Sequence, residues 1–506
     1  MTLFLVVALV CSIPLLLVIF SKWRNSYWSR KGVAQLNPEF FYGDLRQMLT
    51  GKISVGEAFN DIYFKFKKKN LRYGGIYWTF KPVFMPIDIR LIKDIMQNSF
   101  AHFTDRGGYQ HEKDVLSQNL FRMEGQPWKQ LRAKMTPTFT SSRMKMMFET
   151  LCEKIVCLQK VTEPCVRNKE KINVTDVASR FTTDIIGSCA FGIECDSLQN
   201  PDCEFRVYGK QINRPRPLKQ LLEKTLPNKI LYYIGYKSFP LLEDFFRNIV
   251  MKTIDHREKN EVFRKDFMHL LLQLRNRGVL SDDGKLTRGS NEQGILTDDE
   301  VVAQCFLFFA AGFDTSSTTM AFTLFELAKN PDIQEKMRKE ISQVFQKYGG
   351  KLTYEGAKEL IFTEKIISET LRRYPILPAI PRLCTKAYKI PGSNVVLEKG
   401  TAVQIPAWGI HMDPEYYPNP EVFDPERFSE EEKSKRPDFT HIPFGEGPRV
   451  CIGARFGMLQ AKVGLVGLIK DHRFSLPPEA PRKLSFKPSM SLLNSSQDIW
   501  LNVDRI

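Results

Sequence analysis

The segment FGEGPRVCIG, residues Phe444–Gly453, decides the fold of this chain. Two glycines and a proline predict a rigid turn with exposed backbone N–H groups, and this turn leads to Cys451 at the predicted start of a helix. A helix N-terminus carries partial positive charge and free N–H donors, which lower the pKa of a thiol. We therefore expect a thiolate at Cys451. With no His or second Cys beside it, this thiolate fits the axial position of a haem iron better than a zinc site.

An isolated cysteine in such a place is more often a buried structural residue, so the whole segment has to be considered. Its fixed positions all match the haem-binding signature F-x-x-G-x-R-x-C-x-G of the cytochrome P450 family, which the chain resembles over roughly residues 30–500. Other motifs of that family occur in the same order. They are Trp128–Arg132 for W-x-x-x-R, Ala311–Thr315 for A-G-x-D-T, Glu369–Arg372 for E-x-x-R and Pro425–Phe428 for P-E-R-F.

The resemblance implies a mainly α fold, the helical prism of the P450 family with a small β-sheet region, plus one N-terminal transmembrane helix. It implies a membrane anchor at residues 1–21, a linker at 22–45 and a haem-thiolate catalytic domain at 46–506. Local patterns agree with a helical body, since Thr297–Glu300 is a capping box before an apolar run. The predicted elements are a helix to Asn330, helices at about Phe362–Tyr374 and about Cys451–His472, and strands Gly74–Phe80 and Val83–Met85 with a turn near Pro82.

The N-terminus predicts the membrane anchor independently. The apolar run Leu3–Phe20 would span about 27 Å as a helix, close to the ~30 Å hydrocarbon core of a bilayer. Basic residues on its C-terminal side place that side in the cytosol, and interleaved aromatic rings suit the headgroup layer. The basic residues are Lys22, Arg24, Arg30 and Lys31, and the aromatic ones are Trp23, Tyr27 and Trp28. A cleaved signal peptide is the alternative. We expect a single-pass protein of the endoplasmic reticulum membrane with a cytosolic domain.

Composition limits the classes of partner. The chain has 506 residues, of which 43% are hydrophobic and 26% charged, as expected for a globular protein. Its ten cysteines form no C-x-x-C pair, which excludes a disulfide scaffold and disfavours structural zinc. The formal net charge of +16 favours an acidic partner or membrane surface. Because no nucleic-acid-binding motif occurs, a nucleic-acid partner is not expected.

The resemblance also assigns cofactor-binding residues. Haem would be bound through the thiolate of Cys451, with basic residues and Trp128 at its propionates and with Phe444 and Gly453 beside it. The basic residues are Arg132, Arg382 and Arg449. Without the family context, Trp128 and Arg132 would be an exposed cation–aromatic pair one helical turn apart. A buried ion network of Glu369, Arg372 and Arg427 would brace the haem loop.

For catalysis, the resemblance assigns proton delivery during oxygen activation to Thr315 and Asp314. The alternative is a helix bend, since Ser and Thr hydroxyls bond back to the carbonyl four residues earlier. Small residues before Asp314 are expected to let a flat cofactor approach the helix. The expected substrate pocket is largely apolar and comprises Val115, Leu120, Phe121, Phe308, Phe309, Ala311, Leu377, Ile380 and Leu492.

The implied activity is insertion of one atom of dioxygen into a lipophilic substrate. The electrons would come from NADPH through a separate reductase, because the chain has no flavin or nicotinamide motif. The chain looks most similar to insect microsomal members that oxidise xenobiotics. Two alternatives remain: a haem-thiolate isomerase or dehydratase that needs no reductase, and a non-catalytic haem-binding sensor.

Overall fold

The computed structural model describes residue 12, residues 16–212, 219, 221–223, 226–280, 286 and 295–506. The fold is mainly helical, as predicted. The α-helices of the folded body are α1 Tyr27–Arg30, α2 Arg46–Leu49, α3 Val55–Lys68, α4 Ile89–Lys93, α5 Gly125–Met135, α6 Ser141–Asn168, α7 Val174–Ile186, α8 Glu204–Ile212, α9 Asn228–Tyr233, α10 Pro240–Lys259, α11 Phe267–Arg277, α12 Asp298–Lys329, α13 Pro331–Lys347, α14 Tyr354–Glu359, α15 Ile361–Arg373, α16 Ala407–His411, α17 Glu430–Ser434 and α18 Ala454–Ile469.

Small sheets make up the β region. The strands are β1 Tyr73–Trp78, β2 Lys81–Pro86, β3 Ile172–Asn173, β4 Ile380–Leu383, β5 Tyr388–Lys389, β6 Val396–Leu397, β7 Ala402–Ile405, β8 His472–Ser475 and β9 Trp500–Arg505. They form sheets ordered β1-β2-β7-β4, β3-β9-β8 and β5-β6. The predicted turn near Pro82 is wrong by two or three residues, because the chain reverses at Thr79 and Phe80 and Pro82 pairs with Tyr77 inside the hairpin. Thr79 has a positive φ of 53°, which a tight reversal requires.

Helix α12 is the central element of the helical body. The predicted capping box is present: the Thr297 hydroxyl accepts from the N–H of Glu300, whose carboxylate accepts from the N–H of Thr297. Most of its 32 residues are buried, which explains why the sequence is apolar on all sides of the helix. Packing against α7 on one side and α18 on the other fixes the middle of α12 over the loop that carries Cys451. Pro331 begins α13 and ends this helix, as predicted.

The N-terminal segment differs in part from its prediction. Most of the predicted anchor lies outside the described residues, and among those described no helix is long and apolar enough to cross a bilayer. Residues 22–45 do more than link two parts, because Trp28 is fully buried and donates from its indole N–H to the carbonyl of Ile76. A side chain at Gly75 would overlap the Trp28 ring. Trp28 therefore packs in the protein core. The sequence-based expectation that it lies in the headgroup layer of the membrane is wrong.

A buried polar cluster connects α15 and α16 to the segment before the Cys451 loop. The guanidinium of Arg372 donates to the carbonyl of His411 at 2.9 Å, and the N–H of Ile442 donates to Nε2 of His411, also at 2.9 Å. Burial lowers the pKa of His411 well below its usual value, and electrostatic interactions with His441 and Arg372 lower it in the same direction. His411 is therefore neutral in the folded protein.

The neutral His411 predicts a loss of stability in mild acid. Below about pH 6.5 the unfolded chain binds a proton at this histidine while the folded chain does not, so the free energy of unfolding falls, by about 2 kcal/mol at pH 5. In His411→Gln the amide oxygen keeps an acceptor for Ile442 but does not titrate. Urea unfolding at pH 7 and pH 5 should show that the free energy of unfolding falls by about 2 kcal/mol less in this variant than in the wild-type protein. The exposed His256→Gln is the matched control, and an equal loss in His411→Gln and wild type would contradict the prediction.

Candidate active site

A cavity lies between the middle of α12 and the loop that carries Cys451. Its volume is about 380 Å³, within the roughly 300–1,000 Å³ of most small-molecule pockets. The walls are mainly apolar. The lining residues from α12 are Leu307, Phe308, Ala310, Ala311, Gly312, Thr315, Ser316 and Thr319.

The Cys451 loop is fixed by a close backbone approach. Gly447 has a φ of +73°, and a Cβ there would lie 2.0 Å from the carbonyl oxygen of Met96, so only glycine fits. The N–H of Cys451 donates to the carbonyl of Phe444 at 2.9 Å, which closes the turn. The side chain of Cys451 lies inside the protein and is open to the cavity. Phe444 and Gly453 line the same cavity.

The predicted lowering of the Cys451 pKa is wrong for the polypeptide alone. Helix α18 begins only at Ala454, with Gly453 as its N-cap residue, so Cys451 precedes the helix rather than opening it. Burial raises the pKa of the Cys451 thiol, and this outweighs the Gly453 N–H and the positive charges of Arg106 and Arg132, which lower it. A coordinated metal cation deprotonates a thiol outright, so the thiolate would form on metal binding.

Three arginines line the cavity, and a fourth, Arg382, lies close to two of them but is not part of the wall. Arg449 stacks on the Trp128 ring at 3.9 Å and donates to the carbonyls of Thr104 and Met123, both at 2.7 Å. Trp128 is only 5% exposed, so the alternative of an exposed pair with Arg132 is wrong, and its cationic partner is Arg449. Arg132 lines the cavity separately. Sequence reasoning missed Arg106, which donates to the carbonyl of Arg449 at 3.0 Å and also lines the cavity.

Arg382 provides the test of whether a haem fits this cavity. It is 1% exposed, and its Nε and Nη2 atoms have no hydrogen-bond partner, while Nη1 donates to the carbonyl of Pro381. Burial, together with the charges of Arg106 and Arg449, lowers the pKa of Arg382 to about 9. Buried unpartnered donors on like-charged groups call for an anionic partner. A haem, with one thiolate ligand and two propionates, matches this donor set.

Two different constraints explain why α12 has small residues beside the cavity. Ala310 and Ala311 line the cavity, as expected for close approach of a flat cofactor. Gly312 also borders the cavity, but a Cβ there would lie 2.4 Å from Cδ1 of Ile186. The tight packing of α7 against α12 therefore requires this glycine, and the sequence interpretation that assigned it to the cofactor alone was incomplete.

The oxygen-site motif lies where α12 passes the cavity. Thr315 lines the cavity and donates its hydroxyl to the carbonyl of Ala311 at 2.6 Å. Asp314 is half-buried beside it and accepts from the Asn494 amide at 3.1 Å. The Asn494 amide oxygen in turn accepts from the Thr318 hydroxyl at 3.1 Å. Sequence reasoning missed Asn494, because it lies 180 residues away along the chain and belongs to no motif.

The structural network predicted from the E-x-x-R and P-E-R-F motifs comes together beside the Cys451 loop. Glu369 and Arg372 are fully buried and joined by two hydrogen bonds, of 2.7 and 2.8 Å. Nε of Arg427 lies 3.6 Å from the Glu369 carboxylate, and the N–H of Asp424 donates to that carboxylate at 3.0 Å. The Glu369 carboxylate therefore joins α15 to residues 424–427, which come before the Cys451 loop in the chain.

The predicted pocket residues divide into two groups. Those that line the cavity are Leu120, Phe121, Phe308, Ala311, Leu377 and Leu492. Val115, Phe309 and Ile380 are buried but are not part of its wall, so their assignment to the pocket is corrected. Phe309 packs on the opposite side of α12, where its ring stacks on Phe313 at 5.6 Å. Phe309 lies about 100° around the helix from Phe308, and this rotation takes it from the cavity side of α12 to the packed side.

Comparison with known proteins agrees with this geometry. A sequence profile described as Cytochrome P450 matches residues 41–502. A protein named Probable cytochrome P450 6a13, from Drosophila melanogaster, is 40% identical over 504 residues, which is 98% of each chain. Cytochrome P450 6a2 from the same organism is 38% identical over 513 residues, 99% of this chain and 100% of the relative. The chain therefore belongs to the cytochrome P450 family, and it is a haem-thiolate monooxygenase of that family.

Proposed function

We propose that this protein inserts one atom of dioxygen into lipophilic small molecules, using electrons that a reductase transfers from NADPH. The single observation that supports this best is the cavity itself, with Cys451, Arg106, Arg132 and Arg449 on its wall and apolar side chains around the rest. When bound, a haem with an axial thiolate supplies the activation of dioxygen. We further propose that the substrates include xenobiotics, because the named relatives are insect P450s and the walls offer mainly apolar contact.

The binding roles follow from position and charge. The sulfur of Cys451 would be the axial ligand, since it is the thiol open to the cavity. Arg106, Arg132, Arg382 and Arg449 would hold the two propionates, because a guanidinium fork suits a carboxylate. Glu369, Arg372 and Arg427 would keep the Cys451 loop in place through the segment that leads into it.

Thr315 and Asp314 are proposed to deliver protons to the reacting oxygen. The Thr315 hydroxyl donates a hydrogen bond to the Ala311 carbonyl. The lone pairs of the Thr315 oxygen remain able to accept a hydrogen bond from a group in the cavity. Asp314, half-buried next to it, would supply protons from outside the apolar helix. The hydrogen bond to Ala311 is also the one expected for a residue that only bends the helix, so the two roles have to be separated by experiment.

The electron donor is proposed to bind on the thiolate side. Lys129 and Arg455 are exposed there, near Trp128 and the Cys451 loop, and an acidic reductase surface would complement them. Arg449 lies on the same loop but is 1% exposed and cannot take part in docking.

Membrane attachment is proposed from the sequence and from exposed apolar side chains. Residues 1–21 would anchor the catalytic domain, 46–506, on the cytosolic side of the endoplasmic reticulum membrane. Residues 16–25 are helical, and their Phe20 ring lies 5.6 Å from that of Phe80, which also contacts the half-exposed Phe41. These three rings form an apolar surface next to the proposed anchor, where it could contact the membrane.

The assignment of Cys451 predicts a spectroscopic result. Cys451→Ala should lose the absorption band that the reduced carbon-monoxide complex shows only with a thiolate ligand. Cys305→Ala removes another cysteine, a buried one on α12, and should retain the band. A thiolate-type spectrum in Cys451→Ala would show that another residue is the ligand.

The role of Thr315 predicts a loss of coupling. Thr315→Val keeps the shape but removes the hydroxyl, so NADPH should still be consumed while oxygenated product per NADPH falls by about ten-fold or more, with hydrogen peroxide released instead. Hydrogen peroxide supplied directly already carries the protons, so turnover driven by it should fall less. Thr323→Val, which removes a buried hydroxyl further along α12, is the control. Unchanged product per NADPH in Thr315→Val would mean that the residue only bends the helix.

A further inference from the structure

The amide of Asn494 makes two hydrogen bonds to residues one turn apart on α12. Its Nδ2 donates to Oδ2 of Asp314 at 3.1 Å, and its Oδ1 accepts from the hydroxyl of Thr318 at 3.1 Å. The Asp314 carboxylate can only accept a hydrogen bond, so it fixes the orientation of the amide, with the NH₂ group on Asp314 and Oδ1 on Thr318. An amide in this place gives the carboxylate a donor whose charge does not change with pH.

The loop that carries Asn494 also carries a wall of the cavity. Leu492, two residues earlier, lines the cavity, and the N–H of Leu493 between them donates to the carbonyl of Ile376 at 2.9 Å. The N–H of Lys487 donates to the carbonyl of Asn494 at 2.8 Å, which closes the base of the loop. The same short loop therefore contacts the substrate space at one residue and the acid of the oxygen-site motif at another.

We propose that Asn494 is a positioning residue for the carboxylate of Asp314, and that its loop links substrate contact at Leu492 to proton delivery. This inference rests on the proposed function of Asp314 and Thr315. The hydrogen bond from the amide restricts rotation of the half-buried carboxylate about its side-chain torsions. A displacement of Leu492 by a poorly fitting substrate would move Asn494 as well, so the fraction of NADPH that yields product would depend on how the substrate fills this side of the cavity.

Two variants test the positioning role. Asn494→Ala removes both hydrogen bonds, while Asn494→Asp has the same shape and keeps the acceptor for Thr318 but presents an acceptor instead of a donor to Asp314. In the full-length enzyme with its reductase, product per NADPH should fall by about ten-fold in both, the effect of losing one hydrogen bond to a charged group. Spectral binding of a lipophilic ligand and turnover driven by hydrogen peroxide should stay within about two-fold of wild type, since neither needs the proton path.

Ser495→Ala is the matched control for loosening of the loop. The Ser495 hydroxyl donates to the carbonyl of Gln497 at 2.6 Å, and this bond does not involve Asp314, so the variant should keep product per NADPH. Wild-type coupling in Asn494→Asp would overturn the inference, because this change removes the donor and places a second carboxylate beside Asp314. An equal loss of ligand binding, peroxide-driven turnover and coupling in Asn494→Ala would also overturn it, since the loop would then only shape the pocket.

Asp314→Asn separates failure of this inference from failure of the proposed function. If Asp314→Asn loses coupling and the Asn494 variants do not, only the inference fails. If Asp314→Asn keeps wild-type coupling, the proton-delivery role of Asp314 fails and the inference fails with it. In the double variant Asp314→Asn/Asn494→Ala, the inference predicts no loss beyond that of Asp314→Asn alone, because one residue acts through the other. Additive losses would contradict it.

Discussion

The structure depends most on the positive charge that it buries at the edge of its cavity. Arg382 and Arg449 are each 1% exposed, and Arg106 and Arg132 lie close enough to lower the pKa of Arg449 along with its burial. Most donors of Arg449 are satisfied by backbone carbonyls, which ties the chain at residues 104–123 to the Cys451 loop. Two of the Arg382 donors have no partner. A dianionic group bound here would offset the repulsion among the guanidinium groups and would at the same time lie across the space beside Cys451.

Helix α12 lies between the cavity and the hydrophobic core, and it carries polar side chains that face the cavity. Its hydroxyls bond back to carbonyls one turn earlier, at Thr315, Thr319 and Thr323, so a run of Ser and Thr is tolerated inside an apolar helix. Asp314 cannot be satisfied in this way and receives an amide from outside the helix. Because α12 is buried, the polar side chains on it need hydrogen-bond partners. Asn494, which donates to Asp314, belongs to the loop that contacts the substrate space.

Local sequence predicted the elements that depend on local interactions. The capping box at Thr297–Glu300 and the proline at residue 331 placed both ends of α12 to within one residue, since caps and helix breakers act over a single turn. Arg106 and Asn494 could not be found in this way, because each becomes significant only through contacts with distant parts of the chain. The pKa direction of Cys451 was missed for the same reason, since burial is a property of the fold. Phe308 and Phe309 could be told apart only once the orientation of α12 was known.

The central claim is that the buried arginines bind the propionates of a haem whose iron Cys451 ligates. Haem and haem dimethyl ester differ only in the charge and hydrogen-bonding capacity of those two groups, so reconstitution of the apoprotein with each tests the claim directly. The account predicts that the ester binds at least about ten-fold more weakly, a difference of about 1.4 kcal/mol, and that Arg382→Leu narrows this gap by weakening the binding of haem more than that of the ester. Equal binding of haem and its dimethyl ester by the wild-type protein would contradict the account.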